Sequence, residues 1–157
     1  MNPNLKFLIR HPAHYLALGF GSGLFPKAPG TAGSLAAIPL FLLIPASALA
    51  PTFIALGLLF VIGVWCCDVT GKALGVADHG SMVWDEMVAM WLILALMPRT
   101  ALWIGLSFAL FRLFDIWKPF PIKQCDAKLK GGFGVMFDDI LAAIYALLVL
   151  KGLQWLS

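Results

Sequence analysis

Apolar residues occur along the chain in five long runs that are separated by segments rich in proline and glycine. Strong helix formers dominate within the runs, and the alternation of apolar and polar residues that is typical of a half-buried β-strand is absent. Proline and glycine end or interrupt helices in the gaps. The pattern therefore predicts an all-α protein with five helices. These cover about Leu35–Ile44, Thr52–Cys67, Met82–Met97, Ala101–Trp117 and Val135–Leu150.

The composition is typical of a membrane protein. Apolar residues make up 61% of the 157-residue chain, charged residues make up 12%, and the mean hydropathy is +0.92. Ordinary soluble domains have about 25% charged residues, so this chain has too few polar side chains to coat a water-soluble globule. An unusually apolar, soluble helical oligomer is the competing interpretation. The length suits a single domain over residues 1–157.

The predicted helices are short for a membrane. A helix needs about 20 residues to cross the hydrocarbon core, and several of the runs offer fewer. We therefore expect a membrane-embedded bundle of about five short helices, with some helices half-buried or the bilayer locally thinned. The segment Leu5–Phe20 combines Lys6, Arg10 and two histidines with short apolar pieces. This favours an amphipathic segment that lies on the membrane rather than crossing it.

The connections between the runs predict a topology. Pro45–Pro51 and Pro98–Thr100 are brief and nearly uncharged, whereas the segment before the first helix and the segments 68–81 and 118–134 are longer and polar. If the five helices alternate in direction, the three polar segments fall on one side. All eight acidic and nine of the eleven basic residues lie in these segments or in the bordering helix turns. The positive-inside rule makes this side cytoplasmic.

Three predicted helix ends carry carboxylates, and the topology brings these ends to one face at similar depth. An aspartate at mid-membrane costs roughly 2.5–3.5 kcal/mol on insertion scales, and intramembrane charges are usually functional. A group of carboxylates repels itself unless a cation sits among it, and oxygen-rich sites suit Mg²⁺. Interhelical salt bridges are the alternative, although they leave adjacent acidic pairs unexplained. The predicted metal ligands are Asp85 and Glu86 at the start of helix three, Asp115 at the end of helix four, and Asp138 and Asp139 in the first turns of helix five.

The residues around these carboxylates narrow the chemistry. Arg112 and Lys118 flank Asp115 three residues away on either side, so one helix face carries two positive charges beside a negative one. Neither histidine nor cysteine is placed to favour zinc, and the three cysteines have no CxxC spacing, which indicates free thiols. The net charge of +3 is too small, and the basic residues are too scattered, to indicate nucleic-acid binding.

A glycine-rich stretch, GFGSGLFPKAPGTAGS (Gly19–Ser34), precedes the first predicted helix. Successive backbone N–H groups in such a stretch can bind an anion, and a helix N-terminus adds a positive dipole. The P-loop pattern is absent from the chain. A re-entrant turn whose glycines only permit close packing is the alternative. The candidate phosphate ligands of this stretch are Gly21, Ser22, Gly23, Lys27 and Thr31.

The segment ADHGSMVWDE, which leads into helix three, contributes Asp78 and His79. A histidine can act as acid or base near neutral pH, so His79 is a candidate proton donor. It can equally cap or orient a loop. A Mg²⁺ site beside an anion-binding loop at a cytoplasmic interface predicts phosphate chemistry on a lipid head group.

Four blocks of the chain, in this order, resemble the phosphatidylglycerophosphatase A family: GFGSGLFPKAPGTAGS, DHGSMVWDE, FRLFDIWKPFPI and GGFGVMFDD. The similarity extends from about Gly19 to Tyr145. It implies a Mg²⁺-dependent phosphatase of the bacterial inner membrane, which hydrolyses phosphatidylglycerophosphate to phosphatidylglycerol and phosphate in phospholipid biosynthesis. The matching residues are Lys27, Asp78, His79, Asp85, Glu86, Arg112, Asp115, Lys118, Asp138 and Asp139.

These observations lead to a hypothesis in which water attacks the terminal phosphomonoester. The five carboxylates hold one or two Mg²⁺, directly or through water. Lys27, Arg112 and Lys118 stabilise charge on the phosphoryl oxygens, and His79 or Asp78 protonates the departing glycerol oxygen. Two other classes remain open: a small cation transporter or channel subunit, which needs carboxylates at several depths, and a purely structural bundle, which binds no Mg²⁺. The oligomeric state is also open, a homo-oligomer included.

Overall fold

The structure, a computed structural model, describes residues 2–45 and 49–156. These residues form helices and connecting segments without a β-strand, which confirms the all-α prediction. Residues 46–48, within the predicted connection Pro45–Pro51, lie outside the described part of the chain. The elements are α1 (Leu5–Leu8), α2 (Pro12–Ala17), a 3₁₀ segment (Gly19–Leu24), α3 (Pro29–Leu42), α4 (Leu49–Leu74), α5 (Trp84–Leu96), α6 (Ala101–Trp117), α7 (Ile122–Lys128) and α8 (Gly131–Leu156).

The five long helices α3, α4, α5, α6 and α8 correspond to the five predicted apolar runs. However, α3 begins at Pro29 rather than at Leu35. Proline suits the first turn of a helix because its missing N–H would have no intrahelical partner there. The second half of the glycine-rich stretch therefore forms the first turns of a helix rather than a loop.

Two helices are longer than the sequence predicts. α4 and α8 each have 26 residues and are long and apolar enough to cross a membrane, so the expectation of short helices is wrong for these two. Asp68 does not end α4, because it pairs with Lys72 one turn further along the same helix at 2.6 Å. α8 begins at Gly131, which places Asp138 about 10 Å along its axis. The two aspartates therefore lie deeper in the helix than predicted.

α5 occupies the centre of the bundle and contacts α3, α4, α6 and α8. Nine of its thirteen residues are buried, including Asp85. Two tryptophans connect it to its neighbours: the indole of Trp84 donates to the carbonyl of Leu59 on α4 at 3.1 Å, and that of Trp91 donates to the carbonyl of Ala37 on α3 at 2.8 Å. The start of α5 is therefore held in the protein interior, and its acidic residues with it.

The ends of the helices support an alternating arrangement. At the end opposite the carboxylates, Arg99 donates to the carbonyl of Ile44 just beyond α3, and Lys151 donates to the carbonyl of Leu96, the last residue of α5, at 2.7 Å. Basic side chains stabilise the C-terminal carbonyls of helices. These are the two basic residues that the predicted topology left on the far side, and both have a local structural role there.

The N-terminal segment lies against the end of α4. α2 packs on α4, and the ring of His14 is buried at 3.0 Å from the hydroxyl of Thr70. Leu5 and Ile9 expose apolar side chains beside the exposed cations Lys6 and Arg10. Such a distribution is typical of a segment that lies at a membrane interface.

The contact between α4 and α8 depends on glycine. A methyl group at Gly132 would overlap the carbonyl oxygen of Val64 and would lie 2.7 Å from the amide nitrogen of Asp68. The backbones of the two long helices therefore approach each other at a point where no side chain fits. One turn along α8, Met136 fills the space opposite Gly63 of α4.

We expect Gly132→Ala to destabilise the fold by roughly 1–3 kcal/mol, because the obstacle is helix backbone that cannot move aside. Gly152→Ala is the matched control: it lies in the same helix with no atom within 4 Å of the added methyl. Because alanine has the higher intrinsic helix propensity, this control substitution should leave stability unchanged or raise it by up to about 1 kcal/mol. Thermal unfolding of the purified protein in detergent measures both. Equal changes in the two variants would contradict the close contact.

Candidate functional site

Carboxylates from two helices meet inside the bundle. Asp85 and Glu86 lie in the first turn of α5, and Asp139 lies on the inward face of α8. One carboxylate oxygen from each of the three residues lies within 4.8 Å of the others. Asp115 on α6 and Asp138 on α8 are close enough to act electrostatically on the same group. We call Asp85, Glu86, Asp115, Asp138 and Asp139 the carboxylate cluster.

Two cations contact the carboxylate cluster. Nη1 of Arg112 lies 2.5 Å from Oδ2 of Asp115 and 3.4 Å from Oε1 of Glu86. Nζ of Lys118 lies 2.5 Å from Oδ2 of Asp138. Among the described residues, the ion pairs named here set two positive charges against the five carboxylates. The interhelical salt bridges that the sequence allows as an alternative are present, and they balance only part of the cluster.

Three carboxylate oxygens of the cluster are buried without a hydrogen-bond partner among the described residues: Oδ1 of Asp85, Oε2 of Glu86 and Oδ2 of Asp139. Asp85 is 7% exposed and Asp139 is 3% exposed. Buried charges without compensation cost several kcal/mol each, and these three also repel one another. Their oxygens match the donor set of a hard divalent cation such as Mg²⁺, so these three residues fit a metal ion.

The N-terminus of α3 points at the carboxylate cluster. A methyl group at Gly30 would overlap Oε1 of Glu86 and would lie 3.0 Å from Nη1 of Arg112. The positive end of the α3 dipole therefore lies next to an acidic side chain, which it stabilises. Gly30 is a site residue that the sequence analysis did not single out. Its only signal is a glycine directly after Pro29 in the first turn of a helix.

The glycine-rich stretch divides into two parts. Thr31 follows Gly30 in the first turn of α3, and Lys27 is exposed in the connection just before that helix. Two residues of the 3₁₀ segment instead contact backbone: the Ser22 hydroxyl donates to the carbonyl of Gly19 at 2.8 Å, and Gly23 lies against the carbonyl of Ser81. Close packing therefore accounts for Gly23, and the structure brings only the start of α3 to the cluster.

Gly21 is set apart by its backbone. Its φ of +105° is one that residues with a side chain rarely adopt, and the nearest atom to an added methyl is a carbon of Leu8 at 3.7 Å. Glycine is therefore needed here for the turn. Its predicted role in phosphate binding stays a prediction.

Asp78 and His79 lie in the connection between α4 and α5. Nδ1 of His79 accepts a hydrogen bond from the backbone N–H of Ser81 at 3.2 Å, and its carbonyl accepts one from Met82 at 2.7 Å. His79 therefore orients the loop that leads into α5. Asp78 is exposed and close enough for its charge to act on Asp85. The role of either residue as proton donor stays a prediction.

One further polar atom of the site is unpartnered. The Nε of Arg112 is buried and has no hydrogen-bond partner among the described residues. It offers an N–H donor at the carboxylate cluster, because Nη1 of the same guanidinium contacts Glu86 and Asp115. The arrangement thus combines a set of ligands for a divalent cation with a cationic donor for an anion, which is what binding of a metal and a phosphate group together requires.

Comparison with known proteins agrees with this chemistry. A family model described as phosphatidylglycerophosphatase A matches residues 15–154. A Haemophilus influenzae protein named phosphatidylglycerophosphatase A is 48% identical over 98% of this chain and 96% of its own length. An Escherichia coli protein of the same name is 44% identical over 96% of this chain and 89% of its own length.

A third relative has another name. A Bacteroides thetaiotaomicron protein, provisionally named a phosphatidylinositol-3-phosphatase, is 40% identical over 89% of this chain and 92% of its own length. No solved structure matches the chain. The family match covers the carboxylate cluster and nearly the whole bundle, which confirms the resemblance found in the sequence. The chain therefore belongs to the phosphatidylglycerophosphatase A family of phosphoric monoester hydrolases.

Proposed function

We propose that the protein is a Mg²⁺-dependent phosphatase that converts phosphatidylglycerophosphate into phosphatidylglycerol and inorganic phosphate. The relatives from Haemophilus influenzae and Escherichia coli are named for this activity. One observation carries the proposal for the site: the carboxylates of Asp85, Glu86 and Asp139 converge, and each has a buried oxygen without a hydrogen-bond partner among the described residues. A divalent cation relieves their repulsion and would also bind the phosphate.

The residues of the carboxylate cluster take different roles in this proposal. Asp85, Glu86 and Asp139 hold the metal ion, because their oxygens are the unpartnered ones. Asp115 and Asp138 are already paired with Arg112 and Lys118, so they act on the metal through water or as a second set of ligands. When bound, Mg²⁺ neutralises the phosphate and makes the attacking water more acidic.

The cations and the loop complete the reaction. Arg112 donates its unpartnered Nε–H to a phosphoryl oxygen, and Lys118 and the exposed Lys27 add positive charge. Water forms the new bond to phosphorus while the bond from phosphorus to the glycerol oxygen breaks, and the proton that the water loses restores the proton donor afterwards. Asp78 or His79, at the entrance to α5, supplies the proton to that oxygen. Preorganised donors of this kind stabilise the charge that develops in the transition state.

The same proposal places the protein in the bacterial inner membrane as a multi-pass protein. α4 and α8 are long and apolar enough to span it, and large apolar side chains such as Ile54, Leu58 and Val61 are exposed on α4. The lipid substrate stays in the bilayer while its head group reaches the carboxylate cluster. Most basic residues lie at this end of the bundle, so the site faces the cytoplasm.

Most of the carboxylates lie in one cluster rather than at several depths, which argues against a cation transporter or channel. Such a protein needs carboxylates at several depths along its helices. Here five of the eight acidic residues belong to one cluster. At the opposite end, the cations Arg99 and Lys151 bind backbone carbonyls. The distribution favours a single reaction site over a pathway.

We expect Asp139→Asn to lower phosphate release from phosphatidylglycerophosphate by roughly 100-fold or more, since it removes a metal ligand. Phosphate release by the native protein should require Mg²⁺ and stop in EDTA. Without Mg²⁺, the variant should melt at the same or a higher temperature, because one repelling charge is gone. Mg²⁺ should raise the melting temperature of the native protein but not that of the variant.

Asp68→Asn is the control for that variant. Asp68 lies on α4 and pairs with the exposed Lys72, outside the carboxylate cluster, so its activity and Mg²⁺ response should equal those of the native protein. Phosphatidylinositol 3-phosphate is tested in parallel, because one relative is named for that substrate. Near-native turnover by Asp139→Asn, or release that persists in EDTA, would contradict the proposed metal site.

We expect Gly30→Ala to abolish most activity, because the added methyl displaces Glu86 and Arg112. Shortening the acidic side chain in the double variant Gly30→Ala, Glu86→Asp makes room for that methyl. If the clash is the cause, the double variant should be more active than the product of the two single effects predicts. Strictly multiplicative losses in kcat/KM would show that Gly30 and Glu86 act independently.

A further inference from the structure

A groove runs along the outside of the bundle between α4 and α8, with α5 as its floor. Its volume is about 410 Å³. Every residue that lines it is apolar. Its lining includes Leu56 and Gly57 of α4, Val88 and Leu92 of α5, and Phe137 and Ile140 of α8.

The floor and one wall of this groove belong to α5 and α8, the two helices that carry the proposed metal ligands. Val88 follows Asp85 by one helical turn, so both lie on the same side of α5. Phe137 and Ile140 share a face of α8 at the same height as Asp138 and Asp139, which lie on the buried side of the helix. The groove therefore begins at the level of the carboxylate cluster and continues away from it along α5.

The outer side of the groove opens onto exposed apolar side chains of α4. On α4, Ile54 is 68% exposed and Leu58 is 62% exposed, directly beside the lining residues. The lining part of α4, Phe53 to Phe60, is about 10 Å long. Half of a hydrocarbon core is about 15 Å thick. The groove thus covers most of the depth that one lipid tail occupies.

We propose that this groove holds an acyl chain of the lipid whose head group is at the carboxylate cluster. The inference rests on the proposed function, because it extends the same substrate from its phosphate to its tail. Within the bilayer the groove is already in contact with hydrocarbon, so an acyl chain gains little hydrophobic free energy by entering it. The groove would therefore act mainly through its shape. It fixes the tail and so positions the phosphomonoester against Asp85 and Asp139.

A second groove lies between α3 and α4 and has a volume of about 280 Å³. It is lined in part by Leu40 and Phe41 of α3, a helix without acidic residues. It touches neither α6 nor α8, which carry three of the five carboxylates of the cluster. The groove on α8 is therefore the better continuation of the site, and the groove on α3 becomes an alternative that the experiment can detect.

The test fills the groove with one side chain. Gly57 has no atom within 4 Å of an added methyl, so Gly57→Trp projects into the groove without a clash at its Cβ. We expect the ratio of kcat/KM for long-chain to dihexanoyl phosphatidylglycerophosphate to fall by about tenfold or more, mainly through KM for the long-chain lipid. Leu58→Trp places the same side chain one residue further, on the exposed face, and should keep the native ratio.

A binding experiment separates this inference from the proposed function. Phosphatidylglycerophosphate with a photoreactive group in its acyl chain is irradiated with the protein, and the labelled residues are identified by mass spectrometry. Substrate and product carry the same chain, so labelling does not depend on turnover. We expect adducts on Leu92, Phe137 or Ile140 that excess unlabelled lipid suppresses and that Gly57→Trp reduces.

The outcomes are distinct. Native protein that releases no phosphate from either lipid but labels the groove would refute the proposed activity and support the groove. Active protein that labels Leu40 and Phe41 instead would overturn the assignment of the groove and leave the activity intact. Labelling spread over Ile54 and Leu58 without competition, or an unchanged substrate ratio in Gly57→Trp, would also overturn it.

Discussion

The mutual repulsion of carboxylates buried among four helices is the constraint on which this structure depends. Asp85, Glu86 and Asp139 have oxygens that no described residue neutralises, and a bundle gains no stability from holding them together. The fold nevertheless brings them within a few ångströms by burying the start of α5 and by bringing the backbone of α3 against Glu86 at Gly30. In the proposed site, a cation among these oxygens would remove the repulsion and would bind a phosphate.

The unequal lengths of the helices explain where the cluster lies. α3 and α5 begin at the cluster and α6 ends there, whereas α8 begins about 10 Å before its aspartates and α4 continues to Leu74. Around the two longer helices, α2 packs on α4 and α7 packs on α8. The phenol of Tyr145 on α8 also donates to the carbonyl of Phe120 at 2.8 Å. The carboxylate cluster thus lies where the ends of three short helices meet, beside the long helix α8.

Much of this arrangement could be predicted from the sequence. The five apolar runs predicted the helices, because hydropathy is a local property of the sequence. Alternation of helix direction then predicted that the acidic helix ends meet on one side. The reach of α4 and α8 could not be read in this way, since Asp68 is tolerated through its pairing with Lys72. The role of Gly30 was also missed, and for Gly23 close packing was one of two interpretations, because a glycine needed for a contact between elements looks like one needed for a loop.

Locating a divalent cation in an experimental structure tests the central claim most directly. Mn²⁺ replaces Mg²⁺ at oxygen ligands and can be identified by its anomalous scattering. We predict one strong peak between the carboxylates of Asp85, Glu86 and Asp139, coordinated by the oxygens that lack protein partners. If a Mn²⁺-loaded crystal shows no anomalous peak between these three carboxylates, the cluster is a structural feature and not a metal site.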